Sequence, residues 1–373
     1  MSKKLCTLAN GDDVYLYDKS IVIFFNGKRK VLSTSVYNGG YHEDFKAVYN
    51  YDAKQGSGMP CESLADTYIE HMKLISERLA IEPEKVSGMA TAASMENAAV
   101  ETISYKDLTV TAIVTAGVEH NGGRAGDDAA YYMPVAKPGN YGTINIMLAI
   151  NCDLPPGTLT RALVTCTEAK TAALQELFAG SCYSNGIATG SGTDQVIIVA
   201  NADSNLYFED AGKHSKLGEL IGKTVIKAVK RALNMQNGLN AEFQHNVFRR
   251  LKRFGITPDK LWQDFKQNNA ANLLKPQYLL AAEELACDDF MLTYTSLYIH
   301  LLDQYLWQLL NKDETIAAAQ NILNILSANY NVENISLNDA GEKSFIDSWQ
   351  KLFNGIVCKR ISDSSSGEYY EFY

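Results

Sequence analysis

Hydrophobic and polar positions alternate through the first part of the chain in the manner of strands. Val14–Tyr17 and Ile21–Phe25 carry the alternation and its aromatic residues, and Asn26-Gly27 behind them is the dipeptide of a tight hairpin turn. Val31-Leu32 leads into the polar, glycine-bearing loop STSVYNGGY at 33–41. The period then changes. Leu64, Tyr68, Met72, Ile75 and Leu79 recur at helical spacing, which predicts a helix from Glu62 to about Leu79 with Pro83 just beyond it. Residues 86–118 return to strand character, clearest in LTVTAIV at 108–114, and the charged glycine loop EHNGGRAGDD at 119–128 interrupts it. GTINIMLAI at 142–150 is a further strand, and Pro155, Pro156 and Gly157 introduce a long helix over about 158–178. Glycine-rich ATGSGTD at 188–194 feeds the buried strand QVIIVA at 195–200, and a helix capped by Ser215 runs to about Leu233.

Beyond Asn237-Gly238 the texture is helical, as in Leu301, Tyr305 and Leu309 or Ile316, Ile322 and Leu326. The pattern predicts an α+β fold: a mixed β-sheet core packed with helices over 1–237, then an all-α C-terminal domain over 240–373. The apolar stripes of that second domain suit oligomerisation or a lid. Its polar tail from 362, SDSSSGEYYEFY, is expected to be mobile.

Composition narrows the class. A hydrophobic share of 46% with 21% charged residues is that of a soluble globular protein. A net charge of −9 speaks against nucleic-acid partners, which demand cationic neutralisation of phosphates. The apolar window at 108–118 is far shorter than the roughly 20 residues that span a bilayer, and the N-terminus has no signal-peptide pattern. Seven scattered cysteines without a Cys-x-x-Cys pair suit reduced thiols, so a soluble, cytoplasmic protein without membrane contact is expected.

Three segments can carry chemistry. In ATGSGTD, Gly190 and Gly192 free the backbone while Ser191, Thr193 and Asp194 add polarity. The loop precedes a strand and lacks the lysine of a phosphate loop, so donors to an oxyanion fit better than a nucleotide cradle; a plain tight turn is the alternative. In the 158–178 helix, Lys170 falls within the apolar arc of Leu159, Leu163, Cys166, Ala173 and Leu177, whereas Glu168 points nearly the opposite way. Such a lysine snorkels, pairs with a carboxylate or is buried with a perturbed pKa, and in the latter two cases can anchor a catalytic carboxylate or polarise a carbonyl. His214, in AGKHSKLGELIG, can act as acid or base near neutral pH, although lone histidines are usually surface residues. Asp127, Asp128, His120, Glu119, Glu168 and Asp194 offer metal-ligand chemistry, yet no spacing demands a divalent ion, and no protein-held metal or cofactor is expected. Cys166 faces the core, whereas Ser191 or Thr193 as nucleophile stays open.

VLSTSVYNGG (31–40), TAGVEHNGGRAGD (115–127), YGTINI (141–146), TCTEAKTAALQEL (165–177), ATGSGTD and GKHSKLGELIG (212–222) together resemble the adenosylcobinamide amidohydrolase family over about residues 10–235. Ser191 stands where family members commonly have Thr. The resemblance implies cleavage of the amide joining aminopropanol to the corrin ring, giving adenosylcobyric acid, with cobalt arriving in the substrate. On the matching motifs, Glu168 or His214 is the expected base, Lys170 and Asp194 the orienting pair, and the Gly190–Thr193 backbone the oxyanion donor. Asn38, Gly39, Gly40, Asp127, Thr143 and Asn145 are expected to line the corrinoid pocket. Residues 240–373 lie outside the resemblance. A corrinoid-binding sensor or chaperone, or a hydrolase of another amide, are the alternatives.

Overall fold

Strands β1 (Lys3–Thr7), β2 (Asp13–Tyr17) and β3 (Ser20–Phe24) open the chain as an antiparallel meander. The tight turn is not at Asn26-Gly27. Asp18 and Lys19, at φ 46° and 62°, form the two-residue loop that sets Tyr17 against Ser20, the left-handed pair that a type I′ turn needs. Asn26-Gly27 instead carries the chain out of one sheet into another, where β4 (Arg29–Ser33) begins. Buried Asp12 holds this passage, accepting the Asn26 amide at 2.8 Å and two guanidinium nitrogens of Arg29 at 2.8 Å each.

The computed structural model describes residues 2–54, 61–129, 132, 143–268 and 273–366. It divides into two compact units, Met1–Asn240 and Ala241–Tyr373. The first unit continues with β5 (Gly40–His42), β6 (Ala47–Asp52), helix α1 (Tyr68–Arg78), β7 (Val86–Thr91), β8 (Ala99–Tyr105) and β9 (Leu108–Ala116). There follow β10 (Gly122–Gly123), β11 (Ile144–Ile150), α2 (Pro156–Glu176), β12 (Gly190–Ser191), β13 (Gln195–Asn201) and α3 (Lys216–Asn237). Gly142, expected to open the β11 strand, lies outside the described residues.

Among the described residues the strands form two mixed sheets, ordered β1-β2-β3-β6-β7 and β5-β4-β13-β11-β9-β8, and a short β10-β12 ladder. Within the two sheets β6/β7 and β11/β13 run parallel and the other pairs antiparallel. The two sheets share one core: Ile21, Ile23, Val48 and Met89 meet Val31, Ile113, Met147, Ile197 and Val199. On the outer face of the first sheet, Met72 and Ile75 of α1 pack on Val22, Tyr49 and Tyr51. Helices α2 and α3 lie side by side on the second. The fold is α+β, in four layers, with the expected sheet doubled. Val196–Ala200 of QVIIVA are apolar without a break because β13 is covered on both faces.

Helix α1 starts at Tyr68, later than its apolar spacing implies. Thr67 accepts the Glu70 amide at 3.2 Å and donates to the Glu70 carboxylate at 2.9 Å, which sets the first turn. Leu64 still packs beside this helix, but from the preceding loop. Ser215 caps α3 by accepting the Gly218 amide at 3.0 Å, and Gly238, at φ 70°, ends it.

His71, 4% exposed, accepts the Leu64 amide on Nδ1. Burial, then the Arg78 charge, push its pKa below the ordinary 6.5, with Glu62 opposing in part. The folded chain therefore holds it neutral where the unfolded chain would protonate it. Its contribution is complete above pH 6.5 and is lost as pH falls through the folded-state value. His71→Gln is expected to flatten the decline of melting temperature between about pH 6.5 and 5; an unchanged slope would discard His71 as its source.

The second unit is helical: α4 (Val247–Leu251), α5 (Pro258–Asn268), α6 (Lys275–Ala286), α7 (Asp289–Leu306), α8 (Lys312–Tyr330) and α9 (Glu342–Ser366). Its core gathers Tyr278, Tyr298, Phe345, Trp349 and Phe353. Arg253 and Asp303 form a buried two-pronged pair at 2.7 and 2.5 Å. Residues 362–366 continue α9 rather than beginning a ragged tail, and 367–373 lie outside the described residues. All seven cysteines are free. Among the described residues no helix is long and apolar enough to cross a membrane.

Candidate functional site

Lys170, the charge on the apolar stripe of α2, is 7% exposed and does not snorkel. Its Nζ pairs with Asp194 Oδ2. That carboxylate also accepts the Ser191 amide at 3.0 Å on Oδ2, and on Oδ1 the Ser191 hydroxyl at 2.6 Å and the Ile144 amide at 3.0 Å. Four donors occupy the four lone-pair sites of one carboxylate. Asp194 is thus a knot that ties α2, β11 and the 190–194 loop together.

Gly190 is needed there for space. A Cβ at this position would fall on Asp194 Oδ2 and lie 2.6 Å from Lys170 Nζ. Two of the backbone donors expected to face a substrate are engaged internally, the Ser191 amide by Asp194 and the Thr193 amide, at 3.3 Å, by Ser191 Oγ. That corrects the expected oxyanion role of these two amides. What the loop presents outward is the Gly192-Thr193 tip, exposed, with partly exposed Ser191 beside it. Thr193 is braced from behind: its hydroxyl donates to Thr143 Oγ1 at 2.9 Å, and Thr143 donates to the Thr193 carbonyl at 2.6 Å.

Asn145 is close in the fold but fully buried, and it turns between the sheets rather than toward an open pocket. Thr115, Asn145 and Gln195 are Cα partners across β9, β11 and β13. Asn145 donates to Asn50 Oδ1 at 2.8 Å and Asn50 to Thr115 Oγ1 at 2.8 Å. Asn145 Oδ1 and Gln195 Oε1 are buried without a donor among the described residues. The Tyr68 phenol joins this layer through Gln195, the Ala90 amide and Ser35.

The other expected site residues go elsewhere. Glu168 faces outward on α2 and pairs with Lys213 at 3.0 Å. His214, the next residue, is exposed. Thr165 Oγ1 donates to the Ala211 carbonyl, so the 211–214 segment lies along the side of α2 that Lys170 does not use. Residues 168 and 170 leave a helix about 200° apart, so one wall of α2 cannot serve both. Asn38, at φ 50°, donates to the carbonyls of Pro83 and Val86 at 2.7 Å each, fastening the β4–β5 connection to β7. Gly39 has the Ser35 carbonyl where a Cβ would sit. The Asn38 amide is therefore a structural clasp, not the pocket lining expected of it.

Asp127 accepts the Arg124 amide at 2.7 Å and the Ser181 hydroxyl at 2.6 Å, knitting loop 119–128 to loop 180–187. Burial works against its charge, but hydrogen bonds from Ser181, Ser184 and the Arg124 amide, with the charge of Arg124, outweigh it and hold the carboxyl below its usual range. Loop 119–128 also meets the 188–194 loop, in the β10–β12 ladder, which sets Gly122 opposite Ser191 and Gly123 opposite Gly190.

Burial pushes the Cys166 thiol up to about 12, which removes it as a nucleophile. Among the described residues no group of three or more His, Cys, Asp or Glu side chains is placed to hold a metal ion. Sequence reasoning missed Gln195, Thr115 and Tyr68, which become neighbours only through strand pairing.

Two comparisons bear on this arrangement. A protein of Methanocaldococcus jannaschii described as uncharacterized is 34% identical over 232 residues, 59% of this chain and 87% of the relative. Residues 5–241 match the family model described as adenosylcobinamide amidohydrolase, a span that contains the whole Lys170–Asp194 cluster. The chain therefore belongs to the adenosylcobinamide amidohydrolase family.

Proposed function

We propose that this chain hydrolyses the amide joining aminopropanol to the corrin ring of adenosylcobinamide or a related corrinoid, releasing adenosylcobyric acid. Water supplies the hydroxyl of the acid and a proton to the departing amine, and cobalt stays with the substrate. One observation carries the reading beyond family membership. A buried ion pair, Lys170–Asp194, rigidly mounts an exposed turn bearing the hydroxyls of Ser191 and Thr193. With their protons given to Asp194 and Thr143, these hydroxyls can only accept, which suits holding a water molecule or the N–H of an amide in place. In this reading Ser191 and Thr193 touch the substrate, Lys170 and Asp194 position them, and Glu168 and His214 lie outside the reacting groups.

The test is incubation of the full chain with adenosylcobinamide, over a range of pH and with divalent metals supplied, followed by detection of adenosylcobyric acid and free aminopropanol. Both products are expected in equal amounts. Ser191→Ala is expected to lower kcat by about 10²-fold, while Ser191→Thr, which keeps the hydroxyl, stays within about tenfold of the parent. Absence of product would end the hydrolytic reading, and retained binding without turnover would favour a corrinoid-holding protein. A Ser191→Ala variant as active as the parent would dismiss the turn.

A further inference from the structure

Amide hydrolysis at this turn leaves one proton without a carrier. When water attacks the carbonyl carbon, a C–O bond forms and the C–N bond breaks, and the departing nitrogen must gain a proton. Ser191 and Thr193 have none to give, since their hydroxyls donate to Asp194 and Thr143. Lys170 is buried in its pair with Asp194, and Glu168 and His214 lie along another side of α2. Cys166 is shut into the core.

The β10–β12 ladder brings a further group to the turn. It is antiparallel with Gly122 opposite Ser191, so the residues before Gly122 and those after Ser191 leave it at the same end. Gly192 and Thr193 form one exposed tip there, and Glu119 and His120 form the other. The second tip is tightly held. The Gly122 amide donates to the Val118 carbonyl at 2.9 Å, and the Cys182 amide to the Gly122 carbonyl at 2.8 Å. A Cβ on Gly122 would stand 2.8 Å from the Val118 carbonyl oxygen, so a side chain here would force the turn open. The His120 side chain is 79% exposed, with Nε2 4.0 Å from the Glu119 carboxylate. Imidazole is the side chain that both gives and takes a proton near neutral pH. The neighbouring Cys182 thiol is turned to the Glu119 carbonyl at 3.5 Å, and Arg124, further along the loop, keeps its protons.

We propose, on the amidohydrolase reading, that His120 is the catalytic acid–base group: it takes a proton from the attacking water and delivers it to the departing aminopropanol nitrogen. The test measures turnover of adenosylcobinamide by the full-length parent, His120→Ala, His120→Gln and Ser191→Ala, with and without added imidazole. Both His120 variants are expected to lose at least about 10²-fold in kcat with KM within about threefold of the parent. Their melting temperatures should stay within about 1 °C of the parent, because the side chain is exposed. Added imidazole should restore about tenfold to His120→Ala and nothing to Ser191→Ala, a response that a merely structural residue does not give. A kcat for His120→Ala within about threefold of the parent would overturn the proposal. So would a loss that imidazole leaves unmoved, since His120 would then hold the loop or the substrate rather than carry a proton. An inactive parent brings down the hydrolytic reading and its acid–base group together, whereas an active parent with undiminished His120→Ala brings down the second alone.

Discussion

Lys170→Met is expected to destabilise the first unit by about 3–5 kcal/mol and to reduce turnover by at least about 10²-fold. Methionine keeps most of the packing of the lysine stem, so the loss reports on charge. Asp194 would retain its bonds from Ser191 and Ile144 but would stand as a buried anion without a cation. Breaking a buried pair at one end leaves the desolvation cost of the other uncompensated, which is why the single variant should suffer more than the double. Lys170→Met with Asp194→Asn is expected to regain about half of the lost stability, since no buried charge remains, yet to stay inactive because the Ser191–Thr193 turn has lost its knot. Urea unfolding followed by circular dichroism, beside the corrinoid assay, separates the two effects. Tryptophan emission would not serve, since Trp262, Trp307 and Trp349 all lie in the second unit. A single variant within about 1 kcal/mol of the parent would contradict the assignment of Lys170 as the anchor.

The second large effect is expected far from the chemistry. Asp12→Ala should cost about 3–5 kcal/mol, because it strands the Arg29 guanidinium, 2% exposed, in the interior. Arg29 would keep bonds to the Asn10 and Lys28 carbonyls and to Asn201 Oδ1, each at 2.8 Å, and the half-exposed Asp203 carboxylate at 3.7 Å, but would lose both ends of its buried carboxylate fork. The Asn26 amide would lose its acceptor too. These groups hold the passage from β3 to β4, so the variant should loosen the junction between the two sheets while leaving the Lys170–Asp194 cluster chemically intact. Asp12→Leu with Arg29→Met should recover much of the loss, as apolar replacement of a whole buried pair commonly does. Hydrogen exchange at Asn26–Leu32 provides the local readout. Protection there equal to that of the parent would mean that something other than this pair holds the passage.

Much of the fold was legible in one dimension because its determinants are local. Strand alternation, the helical period of α2 and α3, the Ser215 cap and the change of texture near residue 238 all depend on neighbours within a few positions. Lys170 was visible for the same reason: a cation inside an apolar helical arc is an anomaly of spacing alone. Its spacing alone did not show what it pairs with, since Asp194 lies on another element and meets it only after β11 and β13 align; only the resemblance set the two together. The Asn26-Gly27 turn misled because its local propensity is real, while a buried ion pair formed by Asp12 and Arg29 decides its use. Glu168 and His214 belonged to conspicuous motifs, but helical spacing already turned Glu168 away from Lys170, and the pairing of Glu168 with Lys213 on the outer side of α2 follows that spacing. The sequence thus determined the family, the element types and the residues able to do chemistry. Only tertiary structure decided which of them meet, because side-chain convergence depends on strand order and packing, which adjacent residues do not encode.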